Sequence, residues 1–287
     1  MKRRSLLAGL GGLALAAPAV HTAKAQVITL NGASQFNDDH PFTKAMVRFE
    51  ERVKALYGKP INFVLHKNSS LGLEKQYFEY MAQGRAVDYA IVSPAHMSTF
   101  SRAAPFIDAP FLFADLAHWN RVLDADMFKP VADEVAQRAQ VMLIGYAGGG
   151  VRNIFANKVV RNMAELRGLK IRVQGAPIWS LAPNLIMTQH AITIRPLCFS
   201  SRTFARLPDD LKAAIMQAGK EGGAHGRQVE SSEDEQKLVA LESAGRLKRI
   251  PFEGRAEMKK LVDPVMATYA REIGAEAILG RINGLVS

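Results

Sequence analysis

Between residues 27 and 92 the chain alternates strand-like and helix-like segments, and this order constrains the fold more than any other feature. Val27-Ile28-Thr29-Leu30 reads as a strand, and a loop runs from Gly32 to Asp39. A helix is predicted from Pro41, whose fixed φ and missing N–H suit the first helical position. Phe42, Ala45, Met46, Phe49, Val53 and Leu56 lay an apolar stripe along it at helical spacing, and Gly58-Lys59-Pro60 ends it. Ile61-Asn62-Phe63-Val64-Leu65 alternates like a strand, residues 71–83 read as a helix closed by Gly84, and residues 86–92 form a third strand with Asp88 near its start. Strand–helix–strand–helix–strand predicts an α/β fold with a largely parallel sheet.

Further on, residues 141–146 read as a strand and Gly148-Gly149-Gly150 as a break where the chain crosses between lobes. Leu207-Pro208-Asp209-Asp210 opens a long helical stretch from Leu211 to about Ala244, with a break expected near Gly222-Gly223. Arg249-Ile250-Pro251-Phe252 is strand-like, and helices from about Arg255 and Ala275 follow. No repeat or low-complexity segment is present.

The first residues have the pattern of an export signal. Lys2-Arg3-Arg4 is a positive n-region, residues 6–20 are apolar, and Ala23-Lys24-Ala25 is an A-x-A cleavage site before Gln26. Arg3-Arg4 with Ser5-Leu6-Leu7 is compatible with twin-arginine export as well as the Sec route. Removal of residues 1–25 takes away Lys2, Arg3, Arg4 and Lys24, lowering the formal charge from +10 to +6. The densest basic group, Arg246-Leu247-Lys248-Arg249, is short and lacks interleaved aromatics, so nucleic-acid binding is not expected. The single cysteine, Cys198, excludes an intramolecular disulfide and is expected to be a small buried hydrophobe.

Two arginines stand on strand-like runs. Arg152 leads Asn153-Ile154-Phe155-Ala156, and Arg172 sits in Leu169-Lys170-Ile171-Arg172-Val173. A guanidinium on a rigid strand presents a planar fork of donors suited to a carboxylate. Gly-x-Arg followed by Leu-Arg-Gly-Leu-Lys-Ile-Arg-Val resembles the solute-binding proteins of TRAP (tripartite ATP-independent periplasmic) transporters, of the DctP type. His40-Pro41, Ser70-Leu71-Gly72-Leu73-Glu74, Gln83-Gly84 with Asp88, Ala109-Pro110-Phe111-Leu112-Phe113, Thr188-Gln189-His190 and Leu207-Pro208-Asp209-Asp210-Leu211 fall in family order. The resemblance implies a two-lobed periplasmic binding protein with a ligand cleft between the lobes. It would be a non-catalytic receptor passing an organic acid to a sodium-driven membrane permease of small and large subunits. It makes Arg172 the carboxylate anchor, Arg152 a second ligand arginine and Glu74 a polar group near the pocket. Sugar acids, C4-dicarboxylates, keto acids and aromatic acids all remain open.

One departure matters. Where the family has further helices and an Asn-bearing strand, Gln174-Gly175-Ala176-Pro177-Ile178-Trp179-Ser180 runs straight into residues 181–190, so an internal deletion after Ser180 is inferred and the second lobe is expected to be shortened. The expected division is a signal peptide at 1–25 and a first lobe at 26–150, with roughly 196–250 returning to it. The second lobe is then 151–195 with roughly 251–287. Ser93 and His96 follow the third strand, where open α/β sheets place ligands, and complete the candidate site.

Each of these residues has a plainer alternative: a surface ion pair for Arg172, a structural role at the lobe crossing for Arg152, a first-turn helix carboxylate for Glu74, and a structural imidazole for His96. Asn37-Asp38-Asp39-His40 reads as a helix cap rather than a metal cluster. No cofactor or metal is expected. A competing enzyme reading would use Gly148-Gly149-Gly150 as an oxyanion or phosphate cradle, but neither G-x-S-x-G nor a Walker A motif accompanies it.

Overall fold

A computed structural model describes residues 27–169 and 182–286. Strand β1 (Ile28–Ala33) leads to helix α1 (Pro41–Tyr57), strand β2 (Ile61–His66), helix α2 (Glu74–Gln83) and strand β3 (Tyr89–Ile91). The apolar stripe of α1 is buried as its spacing predicts, and Gly58 ends the helix in the left-handed conformation at φ 64°. His40 caps the other end, its Nδ1 accepting from the Phe42 N–H at 3.2 Å. The 37–40 cluster is therefore a cap, although the imidazole rather than an aspartate makes it. Helix α2 starts three residues later than its pattern suggested, because Asn68, Ser69 and Gly72 take positive φ in the preceding turn.

Short 3-10 turns at Pro94–Met97 and Ala104–Asp108 and helices α3 (Leu116–Asp124) and α4 (Lys129–Ala139) connect to strand β4 (Val141–Ala156). After the short helix α5 (Met163–Leu166), strand β5 (Asn184–Ser200) returns along β4. Helix α6 (Ser201–Ala205), helix α7 (Asp209–Ser243), strand β6 (Lys248–Ile250) and helices α8 (Arg255–Glu272) and α9 (Glu276–Asn283) follow. The sheet order is β2-β1-β3-β5-β4, with β6 paired to β5.

The parallel sheet expected from the first 92 residues holds for β1, β2 and β3, but β5 lies antiparallel to both β3 and β4. An antiparallel return needs no crossover helix, so β4 and β5 extend to 16 and 17 residues, each about 50 Å at ~3.3 Å per residue. The triple glycine does not break β4. It makes a bulge, with Gly148 and Gly149 at φ 120° and 117° and a register shift between Gly148 and Val151.

Nor does α7 break at Gly222-Gly223. Gly219, Gly222, Gly223 and Gly226 fall on its buried face, where a side chain would collide: a Cβ on Gly223 would stand 2.5 Å from the Tyr146 nitrogen. The helix is continuous because close packing against β4 and α1 outweighs the cost of glycine, about 1 kcal/mol each in a helix.

Three large apolar clusters fill the region around β1, β3 and the first half of β4, and Cys198 lies fully buried in one of them. A fourth, at the far end of the β4–β5 ribbon, holds Ala156, Val160, Ile186 and Ile250 among the described residues. Helices α8 and α9 place Met266, Ala270 and Ile282 against Phe106, Trp119 and Phe128. The same cluster also takes in Ile192 and Ile194 of β5, while Phe252 packs at the far end of the ribbon.

Candidate functional site

The β1–α1 loop, the first turn of α2 and the segment after β3 converge on one carboxylate. Glu74 is 3% exposed; its Oε1 accepts from Gln35 Nε2 at 3.0 Å and its Oε2 from the Ser93 N–H at 2.7 Å. His96 Nε2 stands 3.7 Å from the same Oε2 and keeps 29% of its side chain exposed. The structure thus brings Glu74, Ser93 and His96 together. Glu74 is not an ordinary surface carboxylate of a first helical turn, since both oxygens are engaged inside the protein. Gln35, which the sequence did not single out, and His96 are the more open members of this group.

A second convergence surrounds Asp108, at the end of its 3-10 turn. Its Oδ2 accepts from Arg152 Nη2 at 3.1 Å and from Arg195 Nη1 at 3.0 Å, and its Oδ1 from the Ile194 N–H at 3.2 Å. Arg195 also donates to its neighbour's carbonyl, Ile194 O, at 2.9 Å, and its guanidinium lies 5.9 Å from the Phe42 ring centre. The Arg195 side chain is 11% exposed, whereas that of Arg152 is 39% exposed and so faces an opening. The two arginines and one aspartate carry a net charge of +1.

Neither Asp108 nor Arg195 was found by sequence reasoning. A signal was present: Arg195 is the only charged residue among the ten consecutive buried positions that end β5, and such a charge must be paired. Arg172 lies outside the described residues.

His190 sits beside this row. Thr188 Oγ1 is 2.9 Å from its Nδ1, and burial, aided by the Arg152 charge, lowers its pKa. His40 stacks on Phe36 with ring centres 3.7 Å apart. Burial first, then the charges of Lys237 and Arg195, lower its pKa to about 4, so it is neutral at ordinary pH.

At the β4 bulge, the Gly150 amide faces Glu230 of α7 and the Val151 amide faces Asp234, each holding its partner carboxylate's pKa down. Burial more than offsets this and raises both, Glu230 to about 7. These carboxylates correct the idea of an oxyanion or phosphate cradle at Gly148-Gly149-Gly150. The Gly150 and Val151 amides already face acidic groups, which disfavour an incoming anion there.

The arrangement offers a cationic row for an acid, a polar group at Gln35 and His96 for hydroxyls, and an aromatic wall at Phe36 and His40. Among the described residues no helix is long and apolar enough to cross a membrane.

Comparison with known proteins agrees with this chemistry. The profile of the bacterial extracellular solute-binding proteins, family 7 (DctP), matches residues 32–184 and 180–272, two blocks that meet at the inferred deletion. A solute-binding protein of Sulfitobacter sp. strain NAS-14.1 is 39% identical over 313 aligned positions, covering 93% of this chain and 94% of the relative. Since 93% of 287 residues is about 267, roughly 46 of those positions have no residue of this chain. A crystal structure of a TRAP periplasmic solute-binding protein from the same strain, with bound α-D-taluronate, superimposes with a TM-score of 0.85 at 38% identity, covering 89% of this chain and 97% of the other. One from Roseobacter denitrificans, with bound β-D-glucuronate, gives 0.79 at 20% identity with 88% and 98% covered, which bears on the fold alone. The chain therefore belongs to the family 7 bacterial extracellular solute-binding proteins, the two-lobed receptors of TRAP transporters.

Proposed function

We propose that this protein captures a sugar acid of the hexuronate class in the periplasm and hands it to a TRAP membrane permease, with no catalysis of its own. The observation that carries the reading is the half-exposed Arg152, fixed on Asp108 beside buried Arg195, within a chain 38% identical to a taluronate-bound structure. Arg152 and, by the family resemblance, Arg172 hold the carboxylate. Gln35 and His96, oriented by Glu74, meet the sugar hydroxyls. Ligand contacts from both lobes favour the closed form, because a ligand shifts an equilibrium only by its differential affinity for the two states.

A second reading, a receptor with impaired binding, is supported by the shortened connection after Ser180 and the roughly 46 positions of the relative that have no counterpart here. One experiment separates the two. The chain from Gln26 onward is titrated calorimetrically with D-taluronate, D-glucuronate, succinate and pyruvate. Micromolar binding of a uronate is the expected result, and silence across the panel would favour the impaired form. Arg152→Ala is expected to weaken the uronate about 30-fold. Losing one partner of a buried charge pair costs at least ~2 kcal/mol, which is the low end that suits a partly exposed group. Arg172→Ala is expected to cost at least as much, and unchanged affinity in either variant removes that arginine from the site.

Export completes the reading. The A-x-A motif at Ala23-Lys24-Ala25 supports a mature N-terminus at Gln26. N-terminal sequencing of the periplasmic fraction is expected to start there, and a retained Met1 in the membrane fraction would contradict it.

A further inference from the structure

The Arg152–Asp108–Arg195 row ends on α7 in a group for which the ligand contacts give no use. Glu230 is half-buried against the β4 bulge, and its Oε1 is 2.6 Å from the place a Gly150 side chain would occupy. Asp234 Oδ2 is 3.7 Å from the same point, so two carboxylates share one small space. Glu230 Oε2 is buried with no hydrogen-bond partner among the described residues. The groups acting on Glu230 are Asp234 and Lys237 of its own helix, Arg195 of β5, and the Gly150 amide of β4. His40, at the start of α1, faces the same Arg195 and Lys237.

Arg195 is therefore shared. Asp108 binds it and also holds Arg152, and the Arg195 charge reaches Glu230, which packs on Gly150 two residues before Arg152 on β4. With Glu230 neutral, the row keeps one positive charge in excess. With Glu230 ionised, that excess is cancelled and an incoming anion gains less.

Resting on the sugar-acid reading above, we propose that Glu230 is a positioning residue of the anion site, and that an acid held on Arg152 is bound together with one proton at Glu230. The sign follows from like-charge repulsion: a bound anion disfavours the ionised form of Glu230 and so draws a proton onto it. The free carboxyl titrates near pH 7, so this uptake falls within the ordinary pH range. A uronic acid is itself fully ionised there, with a carboxyl pKa of about 3.5. His40, with a pKa of about 4, takes no part.

The test uses the exported chain with D-taluronate and D-glucuronate as probes. Calorimetry at pH 7 in two buffers of different ionisation enthalpy reads the protons taken up on binding, and affinity is followed from pH 6 to 8. Net uptake is expected, with affinity falling about two- to five-fold from pH 6 to 8, which corresponds to a ligand-induced pKa change of half a unit to one unit. Glu230→Gln is expected to bind with the low-pH affinity at every pH and to take up no proton. Binding without uptake in the unsubstituted chain overturns the proposal while leaving the receptor reading intact. An unchanged pH slope in Glu230→Gln overturns it too, by assigning the proton elsewhere. No binding of either uronate removes both. The buffer comparison needs no substitution, so a variant that fails to fold leaves the decision to the parent protein.

Discussion

Replacing Asp108 by asparagine is expected to lower the stability of the protein by about 3 kcal/mol, because it takes away the carboxylate that both guanidinium groups bind. Breaking a buried ion pair by removing one partner costs roughly 3–5 kcal/mol, since the remaining charge stays buried without compensation. Arg195 meets that condition, with 11% of its side chain exposed and its Nε without a partner among the described residues, while Arg152 is wet enough to recover part of its hydration. The lower end of the range is therefore the appropriate figure. Asparagine keeps the shape and an acceptor for the Ile194 N–H, so the loss is electrostatic rather than steric. At roughly 2–4 °C per kcal/mol for a chain of this size, the melting temperature should drop about 6–12 °C. Adding Arg195→Met should recover part of the loss, because an apolar side chain of similar length no longer needs the carboxylate. A melting point within about 2 °C of the parent would show that the row is not buried in the way described.

Gly145→Ala is expected to cost at least ~3 kcal/mol, at the upper end of what overpacking does. The new Cβ would lie 2.0 Å from the Gly219 carbonyl oxygen, a backbone atom of α7 that cannot rotate away. The helix would have to lift, and the same contact line includes Gly219 against Ile144 and Gly223 against Tyr146. Gly280→Ala is the matched control. Nothing lies within 4 Å of its Cβ position, which is in the exposed part of α9, so helix propensity alone should stabilise it by up to about 1 kcal/mol. Urea unfolding of the two variants is expected to move in opposite directions, and a Gly145→Ala midpoint equal to the parent's would refute the close packing.

These cases mark what could be read from the residues and what could not. The α1 stripe, its Pro41 start and its Gly58 stop are local signals, and they gave the helix to within a residue or so. Strand β5 was missed because its last ten positions are all buried, and a strand covered on both faces shows no alternation to count. The glycines misled for the opposite reason. In sequence they announce breaks, but at Gly222-Gly223 the packing surface across the helix decides, and that surface is set by β4, some 75 residues earlier. Glu74, Ser93 and His96 were found as neighbours because they lie within one α2–β3 unit. Asp108 and Arg195 are 87 residues apart and meet only once β5 has folded back against β4, which no local pattern encodes.

Strands β4 and β5 and helix α7 all pass the Gly148–Val151 register shift without a chain break. The two ends of the ribbon are thus joined by three stiff members in parallel rather than by a slack tether. Rotating one end against the other would bend a hydrogen-bonded ribbon at the bulge, where the glycines carry no side chains of their own and those of α7 pack against them. Such a joint behaves as a flexure: deformation stores elastic energy across many small strains and returns it when the load is lifted. If ligand capture bends this joint, the strain stored there favours reopening once the cleft is empty.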